Sequence, residues 1–321
     1  MSKKKSQETP AAMPEKVYNF CSKKKMILGI LIAVVVVLIA GAIIRGIHFA
    51  IEFKGGTLIT YTYQGDINTA DVESAVKEII DTSIVVRTGE SLDSGGKQIT
   101  ISFTSEEGLT ADRQTELTDA LRNKFADADL EIYDSNDVSP SSGREFLLKC
   151  FIAVIFAALV VIIYIAIRFR KIGGWSAGVC SIFALCFDIL VAVTATIVFG
   201  FEFNSNIVAV ILTILGYSIN NTIVIYDRIR ENRKLMPKAS LNELINASCT
   251  QSLTRSIRTS ITTIGTMLVV TIVVMVTGYD SLLTFSVPLM FGLISGTFSS
   301  LFVAPVTWSW WKGKEAKKES K

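Results

Sequence analysis

Six apolar blocks punctuate the chain, at residues 26–44, 146–167, 175–199, 206–226, 261–279 and 282–308. A bilayer core about 30 Å thick takes about 20 apolar residues in a helix, so each block predicts one span. In lipid every backbone N–H and C=O must be bonded internally, which leaves helices or a closed barrel. These blocks are too long and too continuously apolar for barrel strands. The first block, led by Lys23, Lys24 and Lys25, has the flank of a signal peptide. Its apolar run from Met26 to Ile44 exceeds a usual signal core and no small-residue cleavage site follows, so the pattern predicts a retained span.

Between the first two blocks the pattern changes period. Thr57–Tyr63 alternates, with Ile59, Tyr61 and Tyr63 on one face and Thr60 and Thr62 on the other, which predicts a half-buried strand. Asn68 or Thr69 caps a helix to about Ile80, whose apolar positions Val72, Val76, Ile79 and Ile80 share a face. Ser83–Thr88 reads as a second strand and Asp93-Ser94-Gly95-Gly96 as a turn. Lys97–Phe103 alternates again, with Ile99, Ile101 and Phe103 together. Thr110 caps a second helix with Leu117, Leu121 and Phe125 inward, and a short strand follows at about 129–133. The order βαββαβ is the ferredoxin-like α+β plan. It carries no convergent catalytic set.

Composition agrees with a membrane protein: 50% of residues are hydrophobic, 19% are charged, and mean hydropathy is +0.46. Net charge is only +3, but it is unevenly placed. Residues 49–147 hold 19 acidic and 8 basic residues, net −11; the rest hold 24 basic and 10 acidic, net +14. Lys and Arg near span ends mark the cytoplasmic side. Every loop then agrees with its neighbour. Residues 1–25 form a basic cytoplasmic N-terminus, 26–44 the first transmembrane helix, and 45–145 an extracytoplasmic domain. Residues 146–308 hold five further transmembrane helices, with a cytoplasmic segment at 227–260, and 309–321 form a basic cytoplasmic tail. Trp308, Trp310 and Trp311, with Trp175 at the other cytoplasmic loop, fit an interfacial aromatic belt.

Several chemistries are absent from the sequence. Cys21, Cys150, Cys180, Cys186 and Cys249 lie in or near spans, outside the acidic domain, without metal-ligand spacing. No Gly-rich phosphate loop appears. His48, the single histidine, reads as a surface residue. The basic runs fit lipid headgroups better than nucleic acid. No cofactor, metal site or enzymatic activity is expected.

The candidate chemistry lies inside the spans, where a polar group is expensive and marks function by default. Asp188 sits mid-way along the third block; a structural hydrogen bond to a neighbouring helix is the competing reading. Ser218, Asn220, Asn221 and Thr222 form a polar patch in the fourth, where Gly216 and small neighbours allow close helix approach. Asp227 and Arg228 follow at its cytoplasmic end. Arg255 and Arg258, at i and i+3, share a helix face before the fifth block; snorkelling to the interface competes as an explanation for Arg258.

Longer stretches carry a resemblance. Glu52-Phe53-Lys54-Gly55-Gly56-Thr57 follows the first block, and Val138-Ser139-Pro140-Ser141-Ser142-Gly143 leads into the second. Residues 206–232 run NIVAVILTILGYSINNTIVIYDRIREN and residues 250–263 run TQSLTRSIRTSITT. Over about residues 26–310 the chain resembles the SecF branch of the SecD/SecF family of protein-export membrane proteins, short members of the resistance–nodulation–division superfamily. The resemblance implies a polytopic α-helical protein, half of a twelve-span transporter, pairing with a SecD-like six-span subunit. It also implies work beside the SecYEG channel, drawing an unfolded polypeptide outward across the bacterial cell membrane on a proton or sodium gradient. It places ion coupling at Asp188, Asn220, Asn221 and Arg255, and family motifs at Gly55, Gly56, Gly216, Ser218, Asp227 and Arg228. Two positions depart from the family. Asn221 stands where many relatives hold a carboxylate, and Phe187 where they often hold His. A carboxamide does not titrate, so the proton-carrying carboxylate is expected mainly in the partner, with Arg255 as the basic group opposite Asn221. On the residues alone, a homodimeric small-molecule or lipid exporter and a passive translocon scaffold are the alternatives.

Overall fold

The computed structural model describes residues 16–80, 84–90, 96–103, 109–277 and 280–319. A 3₁₀ turn at Cys21–Lys23 leads into α1 (Lys24–Arg45). A single turn, α2 (Ile51–Lys54), precedes β1 (Gly56–Tyr63), α3 (Thr69–Ile79), β2 (Ile84–Glu90), β3 (Lys97–Phe103), α4 (Ala111–Lys124) and β4 (Glu131–Val138). Then come α5 (Pro140–Arg168), α6 (Gly174–Val198), α7 (Ser205–Leu235), α8 (Leu241–Thr277) and α9 (Asp280–Phe298). A π turn at Ser299–Val303 joins α9 to α10 (Ala304–Glu319). Among the described residues six helices are long and apolar enough to cross a membrane, the last being Leu282–Gly313, which runs through the π turn.

The sheet order is β2-β3-β1-β4 with every pairing antiparallel, as the ferredoxin-like plan requires. Ile59 pairs with Ile101 and Tyr61 with Ile99, so the alternating residues meet on one face. α3 and α4 cover that face, and Val72, Val76, Leu117 and Leu121 close the core. Tyr61 is fully buried, and its hydroxyl meets Thr118 Oγ1 at 3.1 Å; burial pushes its phenol pKa up. Asn68 caps α3 by accepting from the Ala70 N–H at 3.1 Å. Thr110 occupies the N-cap position of α4, but its hydroxyl makes no capping bond there; instead its carbonyl accepts from the Gln114 N–H. β4 is longer than the short strand expected from its apolar pair Ile132-Tyr133. It is an exposed edge strand, so pairing to β1 defines it where alternation does not. The expected turn at Asp93-Ser94-Gly95 lies outside the described residues.

The spans are nested. Only 6% of the apolar windows of α1 and α5 is buried within the chain, against 56% for α6 and 67% for the last span. α6 and the last span therefore form the inside of the bundle, and α1 and α5 its rim. α5 starts at Pro140, before the apolar block, because Ser139 accepts from the Ser142 N–H and Pro140 opens the first turn. The segment 227–260 is two helical arms, the end of α7 and the start of α8. Asn232 Nδ2 ties them, donating to Ser248 Oγ and Gln251 Oε1, both at 2.8 Å. Arg228 Nε also donates to Gln251 Oε1, at 2.8 Å.

Trp308 is not part of an interfacial belt. It is fully buried, donates from Nε1 to Ser176 Oγ at 3.0 Å, and lies edge-on to Tyr226. An indole buries well only when its N–H finds a partner, and α6 supplies one. Trp175, Trp310 and Trp311 are exposed.

Candidate functional site

α6 carries Asp188 into the middle of the bundle, where it is fully buried. Three serines converge on its carboxylate. Ser218 of α7 donates to Oδ2 at 2.6 Å, Ser295 of α9 to Oδ1 at 2.6 Å, and Ser299 of the π turn to Oδ2 at 2.7 Å. No ion pair among the described residues includes Asp188. Three hydroxyl donors are the compensation that a buried carboxylate needs when no cation is at hand. Two glycines let the helices reach this distance. A Cβ on Gly292 would lie 2.1 Å from Ile214 Cδ1, and one on Gly296 would lie 3.2 Å from Ser218 Cβ. The π turn falls where Ser299 meets Asp188. Such bulges in α-helices recur at functional sites.

A second polar link stands beside the first. Tyr217 donates to Ser260 Oγ at 3.0 Å and Thr297 donates to the same oxygen at 2.7 Å. This joins α7, α8 and α9.

The residues marked in the sequence do not form one cluster. Ser218 joins Asp188. Asn221 is buried on the next turn of α7, and its Nδ2 has no hydrogen-bond partner. Asn220 and Gly216 are exposed on the outer face of α7, and nothing lies within 4 Å of a Cβ built on Gly216. Gly216 therefore makes no close helix approach within this chain, and that role falls to Gly292 and Gly296. Arg255 is exposed and makes no ion pair with Asp188. It lines a cavity of about 540 Å³ between the helical arms, with Val224, Asp227, Arg228 and Glu231. Arg228 is committed to Glu231 and Gln251 there. Asp227 pairs with Arg230 at 2.9 Å and with Arg168 of α5 at 3.2 Å. The bundle itself supplies the hydrogen bonds to Asp188, as its competing structural reading expects.

Ser295 and Ser299 were not singled out in the sequence. Their spacing of four residues in an apolar block places two hydroxyls on one helix face. Paired with one buried Asp, that was the available signal.

Gly55 and Gly56 form a joint rather than a ligand loop. Gly55 has φ +85°, and a Cβ there would lie 2.6 Å from the Pro140 backbone. On the other side, a Cβ on Gly143 would lie 3.0 Å from the Phe53 carbonyl. The start of β1 thus seats directly on the start of α5. Next to it, Glu52 Oε2 accepts from the Ser205 N–H at 2.6 Å, capping α7. The backbone pairs Ala50 with Phe203 and Phe203 with His48, and Arg87 pairs with Glu202 at 2.9 Å. The domain is therefore locked to both α5 and the α6–α7 turn.

Six membrane-length helices with one βαββαβ domain between the first two define a polytopic membrane protein. Comparison with known proteins narrows the class. Residues 117–314 match the family described as protein export membrane protein SecD/SecF, C-terminal, and residues 42–67 match the SecD/SecF GG motif. The protein translocase subunit SecF of Alicyclobacillus acidocaldarius is 33% identical over 88% of this chain and 90% of its own length. That of Endomicrobium trichonymphae is 32% identical over 83% of this chain and 82% of its own. The chain belongs to the SecD/SecF family. Bacillus subtilis SecDF is 31% identical over 98% of this chain, which spans only 41% of that longer relative. The crystal structure of SecDF from Thermus thermophilus, described as a translocon-associated membrane protein, superposes with a TM-score of 0.74 at 26% identity. It covers 95% of this chain and 40% of the SecDF chain.

Proposed function

We propose that the chain is the SecF-type half of a Sec export assembly, without enzymatic activity of its own. Joined to a SecD-like six-span subunit beside the SecYEG channel, it promotes late, ion-gradient-driven steps of polypeptide translocation. The βαββαβ domain is extracytoplasmic and meets the unfolded chain, and both termini are cytoplasmic. The carrying observation is the open polar face of α7 and α8. Gly216 and Asn220 on one helix, and Thr259, Thr262 and Thr266 on the other, are exposed within apolar spans. Small and hydroxylated residues are what helices in lipid present to each other. The length relation supports the same reading, since SecDF relatives carry more than twice this chain's length in one polypeptide.

In this reading the titrating carboxylate that carries the ion lies in the partner. Arg255 at the arm cavity is the group this chain offers across the interface, and Asn221, buried with an unpaired amide nitrogen, is a neutral hydrogen-bond partner held within the bundle. Asp188 holds the inner bundle in register. The glycine joint passes helix movement to the domain, because β1, α5 and the N-terminus of α7 meet there. The test is translocation into vesicles holding this chain, its SecD-like partner and the channel, with proton and sodium gradients collapsed separately. Asn221→Leu and Arg255→Leu are expected to remove most of the gradient-dependent stimulation while leaving the basal rate. Full stimulation in both variants under either gradient would refute the coupling role. Orientation is checked by an impermeant thiol reagent, which should label Asp134→Cys and not Arg233→Cys from outside; the reverse would invert the topology.

A further inference from the structure

The described stretch before α1 is not a free tail. The ends of a chain are poorly ordered unless something ties them down, and here α8 does. Asn246 and Thr250, at i and i+4, stand on one face of α8. Asn246 Oδ1 accepts from the Phe20 N–H at 2.9 Å and from the Cys21 N–H at 3.1 Å. Its Nδ2 donates to Asn19 Oδ1 at 3.3 Å, and Thr250 Oγ1 accepts from the Tyr18 N–H at 3.0 Å. Side chains of one helix thus hold the backbone of residues 18–21 as a strap, with Phe20 and Cys21 buried beneath it.

The buried Phe20 ring leads toward the carboxylate. Its centroid lies 5.1 Å from that of Phe302, Phe302 stacks on Phe298 at 5.1 Å, and Phe298 lies 6.2 Å from Phe187, the residue before Asp188. Phe298 and Phe302 bracket Ser299, so this column of rings runs along the π turn that carries Ser299 to Asp188. α8 touches the same turn, where Cys249 Sγ donates to the Leu301 carbonyl at 3.7 Å. A π turn is rare and departs from the bonding of the α-helix around it, so its shape depends on what packs against it. A cavity of about 240 Å³ lies beside the first ring contact, lined by Tyr18, Phe20, Leu253 and Phe302. The rings therefore have room to shift when the strap does.

We propose that the strap is a positioning element. Seated on α8, it sets Phe20 against Phe302 and holds the π turn where Ser299 reaches Asp188; lifted, it releases the turn and that bond. Phe20 and Asn246 are the positioning residues. The N-terminal end of the first span thereby gains a hold on a carboxylate in the middle of the bundle. The strap acts within this chain, so its failure and the failure of the export reading show in different assays.

Two native thiols report on it. Cys21 lies in the strap and Cys249 against the π turn, both buried, and the buried Cys180 of α6 is the reference. The full chain in nanodiscs is labelled with a small maleimide, and the rate at each cysteine is read by peptide mass spectrometry. Asn246→Leu removes two accepted N–H bonds, and should speed labelling of Cys21 and Cys249 together by about tenfold, with Cys180 unchanged. Phe20→Ala should speed Cys249 by about tenfold, and Phe20→Met, which refills the space, should bring the rate back. Thr250→Val removes one bond at the exposed end of the strap and should speed Cys21 by about fivefold; it stays readable where larger changes disturb folding. Phe20→Ala/Ser299→Ala should label Cys249 no faster than the faster single variant, because both break one link. With Ser295→Ala, which precedes the turn, the effects should multiply. Parental protection of Cys249 in both Phe20→Ala and Asn246→Leu would overturn the proposal. So would equal acceleration at Cys180, which means general loosening, or multiplied effects in Phe20→Ala/Ser299→Ala, which mean that strap and site are separate.

Discussion

Asp188 and Asn220 are both polar residues in apolar spans, and the fold treats them in opposite ways. Around Asp188, three helical segments each contribute a hydroxyl within 2.7 Å, and glycines at 292 and 296 let the backbones close in. Around Asn220 and Gly216 nothing closes in; the side chain is exposed and the glycine touches nothing. A polar group in lipid either finds its partners in its own chain or waits for them in another. In the proposed reading the inner site serves the stability of this chain, and the outer face what it joins. One sequence signal, a polar residue at span depth, marks both. Only the packing separates them.

The contrast gives graded expectations for thermal unfolding in detergent. Asp188→Leu strands three buried hydroxyls, of which Ser299 has a second, longer acceptor in its own segment, the Gly296 carbonyl at 3.4 Å. At about 1–3 kcal/mol for a buried unsatisfied group, this is the largest loss expected, while Asn220→Leu should stay within about 0.5 kcal/mol of the parent. Equal losses would erase the distinction between the faces. Gly292→Val against Gly216→Val comes next. The first drives a side chain into Ile214 and should cost about 1–3 kcal/mol. The second meets empty space and should cost little. Asn221→Leu sharpens the comparison from the other side. Its amide is buried without a partner in the lone chain, so replacing it should leave stability unchanged or raised while function falls.

The smallest effect lies outside the membrane. Tyr61→Phe removes one buried hydrogen bond, about 1 kcal/mol. Burial raises the Tyr61 pKa above its ordinary 10.0, so the folded state keeps the neutral phenol after the unfolded chain has begun to ionise. The stabilisation this gives is complete below pH 10 and is lost as pH rises through the folded value. Chemical unfolding of the full chain between pH 9 and 11 should show a shallower decline in Tyr61→Phe than in the parent.

Most of the fold is readable from periodicity. The six spans follow from apolar length, and β1, α3, β3 and α4 from the two helix and strand periods, because each buries one face against water. β4 was legible only at Ile132-Tyr133, since an edge strand with seven exposed positions has no burial to impose alternation. Charged and polar arms hid the true lengths of α7 and α8, because apolar length stops at the bilayer and helices do not. Trp308 misled for a related reason. It stands beside Trp310, Trp311 and a lysine, and only the reach of Ser176 from α6 draws it inside. At the site, Asp188 and Ser218 were visible as polar breaks. Ser295 and Ser299 were not, because serine is common in membrane helices and its partner lies more than a hundred residues away. Arg255 was placed opposite Asn221 by family resemblance; it lines the arm cavity with Val224, about one turn beyond Asn221 on α7.

The most direct measurement concerns the open face itself. Gly216→Trp should be silent in the lone chain, since nothing lies within 4 Å of the position, yet it should block any helix that packs there. The chain and its SecD-like partner would be co-expressed, with the lone chain's unfolding temperature and the recovery of the pair measured for parent and variant. The expected result is an unchanged unfolding temperature and loss of the co-purified partner. Recovery of the pair at the parental level by Gly216→Trp would contradict the assignment of the outer face of α7 as the seat of the second half.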